Sequence, residues 1–274
     1  MTNYWQFEFE TSDSNQAELL IALLSNAGFE GFEEEEKMIK AFVGEKNFDE
    51  ICFDEAIEKM GNIIYVRSSI ENINWNQQWE ESFEPVVVEE LVAIRAHFHQ
   101  PITTVKHEIV ITPKMSFGTG HHATTFMVLQ LMQQLEFANK TVLDFGTGTG
   151  VLAILAEKLG ASHINAIDND EWSINNTIEN IEQNSCNKIE VNLADAIPNH
   201  KKYDVIIANI NLNIILKNLG EIAAASLPGT EILLSGFLST DEQVIKDGLT
   251  KNGLAFYSSL KKGEWLAIYC GKGL

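Results

Sequence analysis

The stretch VLDFGTGTG, residues 142–150, constrains the fold of this 274-residue chain more than any other part of the sequence. An apolar run ends in an acid and three alternating glycines, and a second apolar run, VLAILAEKL, follows directly. Glycine lets the backbone come close to a ligand, and the first turn of a helix has N–H groups free to bind one. The stretch therefore predicts a buried strand, a ligand-binding turn and a helix, as in an open α/β sheet.

The spacing of the glycines distinguishes this turn from other nucleotide-binding loops. Gly146, Gly148 and Gly150 form a GxGxG pattern, whereas a dinucleotide-binding loop, GxGxxG, requires a glycine where this chain has Val151. A Walker loop is excluded as well, because no Gly-Lys-Ser/Thr sequence follows. Asp144, just before the turn, has two roles open to it: it can accept hydrogen bonds from loop N–H groups or from the ammonium group of a ligand.

Polar residues also end the next three predicted strands. Asp168 lies 18 residues after Gly150, where an acid can accept hydrogen bonds from both ribose hydroxyls of a nucleoside. Asp195 is placed to meet an adenine amino group. Asn209 would face the reactive end of the ligand, where its amide can accept hydrogen bonds from an amine. Since no charge is evident for a pyrophosphate, these residues predict S-adenosylmethionine, with another nucleotide or a purely structural turn as the alternatives.

Strands and helices alternate from the helix ATTFMVLQLMQQLE to the end of the sequence. This order predicts a parallel sheet covered on both faces, with the last two strands forming an antiparallel hairpin. Two further strand-like stretches, PVVVEELVAIRAHF and HEIVITP, come first. The seven strands predicted for the main sheet are TVLDFG, HINAIDND, KIEVNLAD, YDVIIANI, TEILLSGF, LAFYSSL and EWLAIYC. The predicted helices are ATTFMVLQLMQQLE, VLAILAEKLG, EWSINNTIENIEQN, LNIILKNLGEIAAASL and TDEQVIKDGLTKNG.

The first 70 residues have a pattern of their own. Their order, βαββαβ, predicts a small ferredoxin-like α+β domain. Gly28 is a fitting stop for its first helix, and Asn47 is the candidate N-cap of its second. A polar connector, residues 71–80, then carries Trp75 and Trp79. We expect these rings to pack one domain against the other, with a direct substrate role as the alternative.

The charge of the chain is strongly negative and unevenly distributed. Of the net −20, residues 1–74 contribute −11, from 16 acidic and five basic residues. An acidic surface repels phosphate backbones and can attract a basic protein, although solubility alone would also explain it. The longest apolar runs are too short to span a bilayer, and we identify no signal peptide. We therefore expect a cytoplasmic protein that contacts neither a membrane nor, directly, nucleic acid.

The segment MSFGTGHHATT, residues 115–125, completes a set of motifs that resembles a known family. Together with VLDFGTGTGVLAILAEKLGA, AIDND, DVIIANIN, LLSGFL and EWLAIYC, it is similar to the PrmA-type methyltransferases, which modify large-subunit ribosomal protein L11. The resemblance covers nearly the whole chain. FGTGxHxTT is its specific part, since many methyltransferases share the glycine loop. The family usually has proline at the position of Ala123, which leaves the entry to that helix in question.

The resemblance implies a fold, a domain organisation and a set of ligand contacts. It implies a Rossmann-like, seven-stranded class I methyltransferase domain at residues 81–274. A ferredoxin-like substrate-recognition domain at residues 1–70 and a linker at residues 71–80 would precede it. The expected S-adenosylmethionine contacts are Phe117, Gly118, Thr125, Gly146, Gly148, Asp168, Asp195 and Asn209, and Asn209 is also the expected catalytic residue. His121 and His122 are adjacent and lack companion ligands, so we expect no metal site.

The activity implied is methyl transfer from S-adenosylmethionine to lysine side chains and an N-terminal α-amine of L11. A free lysine has a pKa of about 10.4, so the pocket must favour its neutral form by desolvation and by the sulfonium charge. The sequence shows no dedicated general base. We expect a monomer. The alternatives are a methyltransferase acting on RNA or on a translation factor, and a non-catalytic S-adenosylmethionine-binding docking module.

Overall fold

The computed structural model describes residues 4–35, 38–61, 63–70, 83–114 and 116–273, and the chain divides into two units, Met1–Ser82 and Phe83–Leu274. The predicted linker, residues 71–80, lies outside the described residues, and so do Trp75 and Trp79. The domain boundaries and the packing role given to these two rings therefore stay predictions. No helix in the described ranges is long and apolar enough to cross a membrane.

In its described residues, the smaller unit is an antiparallel sheet with two helices. Its strands lie in the order β2-β3-β1-β4, so the βαββαβ prediction is confirmed. Alternation along β1 buries Phe7 and Phe9, which pack with apolar residues of both helices. The elements are β1 (Tyr4–Glu10), α1 (Ser14–Asn26), β2 (Gly31–Glu35), β3 (Met38–Gly44), α2 (Glu50–Lys59) and β4 (Tyr65–Ile70).

The capping of α2 differs from the sequence-based prediction. Asp49 is the N-cap, and its carboxylate accepts hydrogen bonds from Ile51 N at 3.1 Å and Cys52 N at 3.0 Å. Asn47 was the wrong candidate, because its own N–H closes a turn on the carbonyl of Gly44. Its carbonyl also packs so closely on Gly28 that a Cβ there would lie 1.9 Å from the oxygen. Asn47 therefore belongs to the turn before the helix.

The larger unit is built on the predicted seven-stranded sheet, which is confirmed. Its order is β10-β9-β8-β11-β12-β14-β13; the first five strands are parallel, and β14 is antiparallel to both neighbours. The strands are β8 (Thr141–Phe145), β9 (His163–Asp168), β10 (Ile189–Leu193), β11 (Tyr203–Asn209), β12 (Ser226–Leu238), β13 (Ala255–Lys262) and β14 (Trp265–Gly271). The helices are α3 (Ala123–Met132), α4 (Val151–Lys158), α5 (Glu171–Gln183), α6 (Leu212–Ala225) and α7 (Glu242–Lys251).

Helices cover both faces of this sheet. One face packs against α3, α4 and α5, and the other against α6 and α7. A three-stranded sheet of β5 (Val86–Val88), β6 (Val92–Ala96) and β7 (His107–Ile111) extends the first core. Strand β12 begins at Ser226, four residues before the predicted start. The side chain of Thr230 holds this early segment, since its hydroxyl donates to Tyr203 O and accepts from Leu227 N.

Candidate functional site

The carboxyl ends of the central strands open into a cleft of about 430 Å³ in the larger unit. Ligands bind at this edge of an open α/β sheet where the strand order reverses. Here the reversal is at β8, which lies between β9 and β11. The cleft is lined by Phe117, His122, Thr124, Phe145, Gly146, Gly148, Asp168, Asn169, Ser173, Ala194, Asp195, Asn209, Ile210, Asn211, Ile214, Gly236 and Trp265.

The cleft has two chemically different halves, which follow from the strand order. Asp168 ends β9 and Asp195 follows β10, so both carboxylates lie on one side of β8. Asn209, Gly236 and Trp265 come from β11, β12 and β14 on the other side. No lysine or arginine occurs among the described residues that line the cleft. The first half suits hydroxyl and amino donors, and the second suits a less polar group.

The carboxylate of Asp168 stabilises the glycine loop and also lines the cleft. Its Oδ2 accepts a hydrogen bond from Gly148 N at 2.9 Å, and its Oδ1 accepts one from Asp170 N at 3.0 Å. The N–H groups of Gly146 and Thr147 both donate to the carbonyl of Ile167, the residue before it. A ligand hydroxyl would therefore share an acceptor that already fixes the loop. A carboxylate has lone pairs enough for both tasks.

The two glycine motifs of the sequence are tied together through Thr149. Its N–H donates to Phe117 O at 2.9 Å, and its hydroxyl donates to Gly118 O at 2.7 Å. Gly148 has φ +59°, and a Cβ there would lie 2.2 Å from Phe117 O. Only glycine fits at this point, because the segment around Phe117 lies directly on the loop.

Asn209 and Thr125 meet beside the cleft. Asn209 Nδ2 donates to Thr125 Oγ1 at 3.1 Å, and both side chains are buried. Asn209 Oδ1 is also buried, and it accepts no hydrogen bond from any residue that the structure describes. A buried acceptor of this kind is costly unless a ligand satisfies it. With Phe117, Gly118 and Gly146, the pair lines a second cavity of about 10 Å³ beside the cleft.

Asp144 lies buried beneath the glycine loop. Its Oδ2 accepts a hydrogen bond from the Thr147 hydroxyl at 2.7 Å, while its Oδ1 has no hydrogen-bonding side-chain partner in the described part of the chain. Burial raises the pKa of this carboxyl from 3.8 to about 7, against the lowering effect of the Thr147 hydrogen bond. The negative charge of Asp168 raises the pKa slightly further. The observed loop contact of Asp144 is with a hydroxyl rather than with the predicted N–H groups, and its role toward a ligand ammonium stays a prediction.

All eight residues expected to contact a ligand lie around this site. Phe117, Gly146, Gly148, Asp168, Asp195 and Asn209 line the cleft, and Gly118 and Thr125 line the adjoining small cavity. The cleft is also lined by residues that no sequence pattern predicted, among them His122, Asn169, Ile210, Gly236 and Trp265. His122 and Trp265 belong to the motifs MSFGTGHHATT and EWLAIYC, but nothing in their spacing indicates that their rings meet.

The two adjacent histidines have separate structural roles. His122 is the N-cap of α3, and its Nδ1 accepts a hydrogen bond from Thr124 N at 3.3 Å. His121 contacts Glu84 O through Nε2 at 2.8 Å and Thr119 Oγ1 through Nδ1 at 3.0 Å. Ala123 is the first helical residue, a position that also accepts proline, so its presence leaves the helix start intact. Within the described ranges, no three His, Cys, Asp or Glu residues group as metal ligands would.

Known proteins resemble the chain over nearly its whole length. The family described as "Ribosomal protein L11 methyltransferase (PrmA)" matches residues 6–272. A ribosomal protein L11 methyltransferase of Bacteroides thetaiotaomicron is 38% identical over 274 residues, which is 97% of this chain and 98% of the relative. One from Chlorobaculum parvum is 39% identical over 280 residues, covering 97% and 95%.

A solved structure agrees with these relatives. The crystal structure of ribosomal protein L11 methylase from Lactobacillus delbrueckii subsp. bulgaricus covers 70% of this chain and 100% of its own, with a TM-score of 0.65 and 25% identity. The class I methyltransferase fold that the sequence predicted is thereby confirmed for the larger unit. The chain belongs to the ribosomal protein L11 methyltransferase family.

Proposed function

We propose that this protein transfers methyl groups from S-adenosylmethionine to lysine side chains and to the N-terminal α-amine of ribosomal protein L11. Family membership supports the reaction and the substrate. The single observation that carries the assignment in this chain is the divided cleft. One half holds Asp168 and Asp195, and the other holds Asn209 with an acceptor oxygen that no described residue satisfies.

The residues around the cleft fit S-adenosylmethionine. The carboxylates of Asp168 and Asp195 suit the hydroxyl and amino donors of adenosine, and the glycine loop allows close approach of a ligand. Thr125 and Asn209 suit the methionine end, because their polar groups line the adjoining small cavity. When bound, S-adenosylmethionine would supply a methyl group that its sulfonium makes reactive. We assign no step to a metal or to a second cofactor.

Asn209 is the residue proposed to position the acceptor amine. Its Oδ1 can accept a hydrogen bond from an amine N–H, which orients the nitrogen lone pair along a fixed direction. Because Nδ2 is held by Thr125, the amide presents this oxygen rather than its NH₂ group. Alignment of the donor and acceptor then supplies most of the rate. The low polarity of the surrounding half favours the neutral amine by desolvation, so no dedicated base is required.

The smaller unit is proposed to recognise the protein substrate. The −11 charge of residues 1–74 suits a basic ribosomal protein and opposes an approach to RNA. A monomer is proposed as the active form. A ribosomal protein as substrate supports action in the cytoplasm. The domain boundaries proposed are those of the sequence analysis, residues 1–70, 71–80 and 81–274.

Labelling of the separated components of the large subunit tests the proposal against its alternatives. The protein is incubated with methyl-labelled S-adenosylmethionine, the separated large-subunit proteins and ribosomal RNA. Label on L11 and none on RNA is the expected result. Label on RNA or on a different protein would show that L11 is not the substrate. Binding of S-adenosylmethionine by calorimetry without any label would favour the docking module, and failure to bind it would overturn the proposed function.

A further inference from the structure

Three aromatic rings lie in a row along the cleft, and the last of them, Trp265, belongs to the half that lacks carboxylates. The centroids of Phe117 and His122 are 5.1 Å apart with their planes at 61°, and those of His122 and Trp265 are 4.5 Å apart at 70°. All three residues line the cleft together with Asn209. We call Phe117, His122 and Trp265 the aromatic wall. Since successive ring planes are steeply inclined, the wall is folded rather than flat.

The middle ring of the wall is fixed by the helix that it caps. Nδ1 of His122 accepts the hydrogen bond of Thr124 N at 3.3 Å and lies 2.8 Å from the Thr124 hydroxyl, so two contacts with α3 hold the ring. A proton on Nδ1 would remove the cap acceptor of α3. His122 therefore contributes a ring that its backbone contact holds in place. This use of Nδ1 argues against a role for that nitrogen as the base of the reaction.

The charged residues near the aromatic wall would not prevent a cation from binding there. The carboxylates that line the cleft, Asp168 and Asp195, lie in the other half. Lys262 is the cross-strand neighbour of Trp265, but its ammonium lies 3.2 Å from the centroid of the Phe126 ring. A positive group entering this half would thus meet aromatic rings, which attract cations within about 6 Å of their centroids.

We propose that the aromatic wall binds the methylated ammonium group of the product and stabilises the positive charge that forms on the acceptor nitrogen. This inference rests on the proposed function. During transfer, the nitrogen lone pair forms a bond to the methyl carbon while the carbon–sulfur bond breaks and leaves its electron pair on sulfur. The positive charge therefore passes from sulfur to nitrogen. A proton on a partly methylated nitrogen goes afterwards to water.

The wall matters most for a nitrogen that carries three methyl groups. Such a group has no N–H left, so the Oδ1 of Asn209 cannot hold it by a hydrogen bond. Its positive charge is still attracted by ring faces, which are the usual receptors of quaternary ammonium groups. The structure thus separates two tasks in one half of the cleft. Asn209 orients an amine that still has hydrogens, and the wall accommodates the cation that results.

The test compares a cation with an uncharged group of the same shape. The protein is saturated with S-adenosylhomocysteine and titrated by calorimetry with capped Nε-trimethyl-lysine, and separately with its isostere in which carbon replaces the charged nitrogen. We expect the cation to bind about three- to thirtyfold more tightly. Equal affinities, or no binding of either compound, would overturn the inference. Failure of the wild-type protein to bind S-adenosylhomocysteine would instead overturn the proposed function.

Matched variants locate the preference in the wall. Trp265→Leu should abolish the discrimination between the two compounds, and Trp265→Phe, which keeps a ring, should retain part of it. His122→Asn removes the second ring but keeps a good N-cap for α3, so it should weaken the discrimination without unfolding the helix. Undiminished discrimination in folded Trp265→Leu and His122→Asn would contradict the assignment. If Trp265→Leu does not fold, the other two variants and the wild-type comparison still decide.

Discussion

The amide of Asn209 donates to the hydroxyl of Thr125 at 3.1 Å, across 84 positions of sequence, and this bond determines which end of the amide is left for a ligand. Thr125 belongs to the first turn of α3, and Asn209 is the last residue of β11. The segment that begins with the motif FGTG is therefore connected to the strand that carries the proposed catalytic residue. Loss of either partner should affect both stability and ligand binding.

Thr125→Val removes the hydroxyl and keeps the shape of the side chain. The buried NH₂ group of Asn209 would then have no acceptor, which costs about 1–3 kcal/mol. We expect this loss in the free energy of unfolding, together with weaker binding of S-adenosylmethionine, because the amide becomes free to turn. Thr125→Ser keeps the hydroxyl and should stay close to wild type. If the valine variant matches the serine variant in both unfolding and calorimetry, the contact has no such role.

Gly148→Ala should abolish ligand binding through a clash in the site. Its Cβ would lie 2.2 Å from Phe117 O, so the segment on the glycine loop must move. Gly253→Ala is the matched control, because Gly253 also has a positive φ, +71°, but no atom stands within 4 Å of its Cβ position. Both variants introduce backbone strain of about 1–2 kcal/mol, because alanine is disfavoured at a positive φ. Only Gly148→Ala should lose affinity for S-adenosylmethionine. Equal affinities in calorimetry would show that this close approach is irrelevant to binding.

Asp144 should give the stability of the protein a particular dependence on pH. Its folded-state pKa, about 7, lies above its ordinary value of 3.8 because of burial. Between these values the folded protein keeps a proton that the unfolded chain loses, so stability falls as pH rises, by up to about 1.4 kcal/mol per unit. Denaturant unfolding of wild type and Asp144→Asn should show a difference that declines up to about pH 7 and then levels off. A constant difference would mean that Asp144 is already ionised in the fold.

The charge of the smaller unit should act on the encounter with L11. We expect kcat/KM for L11 to fall as salt increases, since screening limits the field to about 8 Å at physiological ionic strength. Removing two exposed charges of α2, by Asp54→Asn with Glu58→Gln, should reduce this salt dependence. The same number of charges removed from the larger unit, by Glu221→Gln with Asp247→Asn, should change it less. If both pairs of substitutions reduce the salt dependence of kcat/KM equally, the charge of the smaller unit has no special role in recognising L11.

The strands and the acids at their ends were predictable because their signals are local. The run YDVIIANI is apolar and β-branched enough to predict a buried strand, and its end places Asn209 at the edge where the others end. Asp168 follows by the same reasoning. In each case the residue's position along its own strand is enough, because parallel strands bring their carboxyl ends together.

The contacts between distant segments were not predictable in the same way. Asn180 accepts from Thr112 N and donates to Thr149 O, both at 2.8 Å, so a buried polar face of α5 clamps the glycine loop. The helical spacing of apolar residues predicts a helix, but it does not show that polar residues of that helix are buried against the glycine loop. His122 and Trp265 are far apart in sequence, and they meet because α3, which His122 caps, packs against β14. Side-chain partners of this kind depend on the finished packing.

The mass of L11 after incubation with this protein and S-adenosylmethionine tests the central claim most directly. Intact-mass and peptide mass spectrometry should show whole methyl increments on lysine side chains and on the N-terminal amine. Asp168→Ala should reduce them strongly, because it removes the proposed ribose acceptor and releases Gly148 N. Asn209→Ala should reduce them even where S-adenosylmethionine still binds. Unmodified L11 beside a wild-type protein that binds S-adenosylmethionine, or methyl groups on oxygen or carbon atoms of L11, would contradict the account.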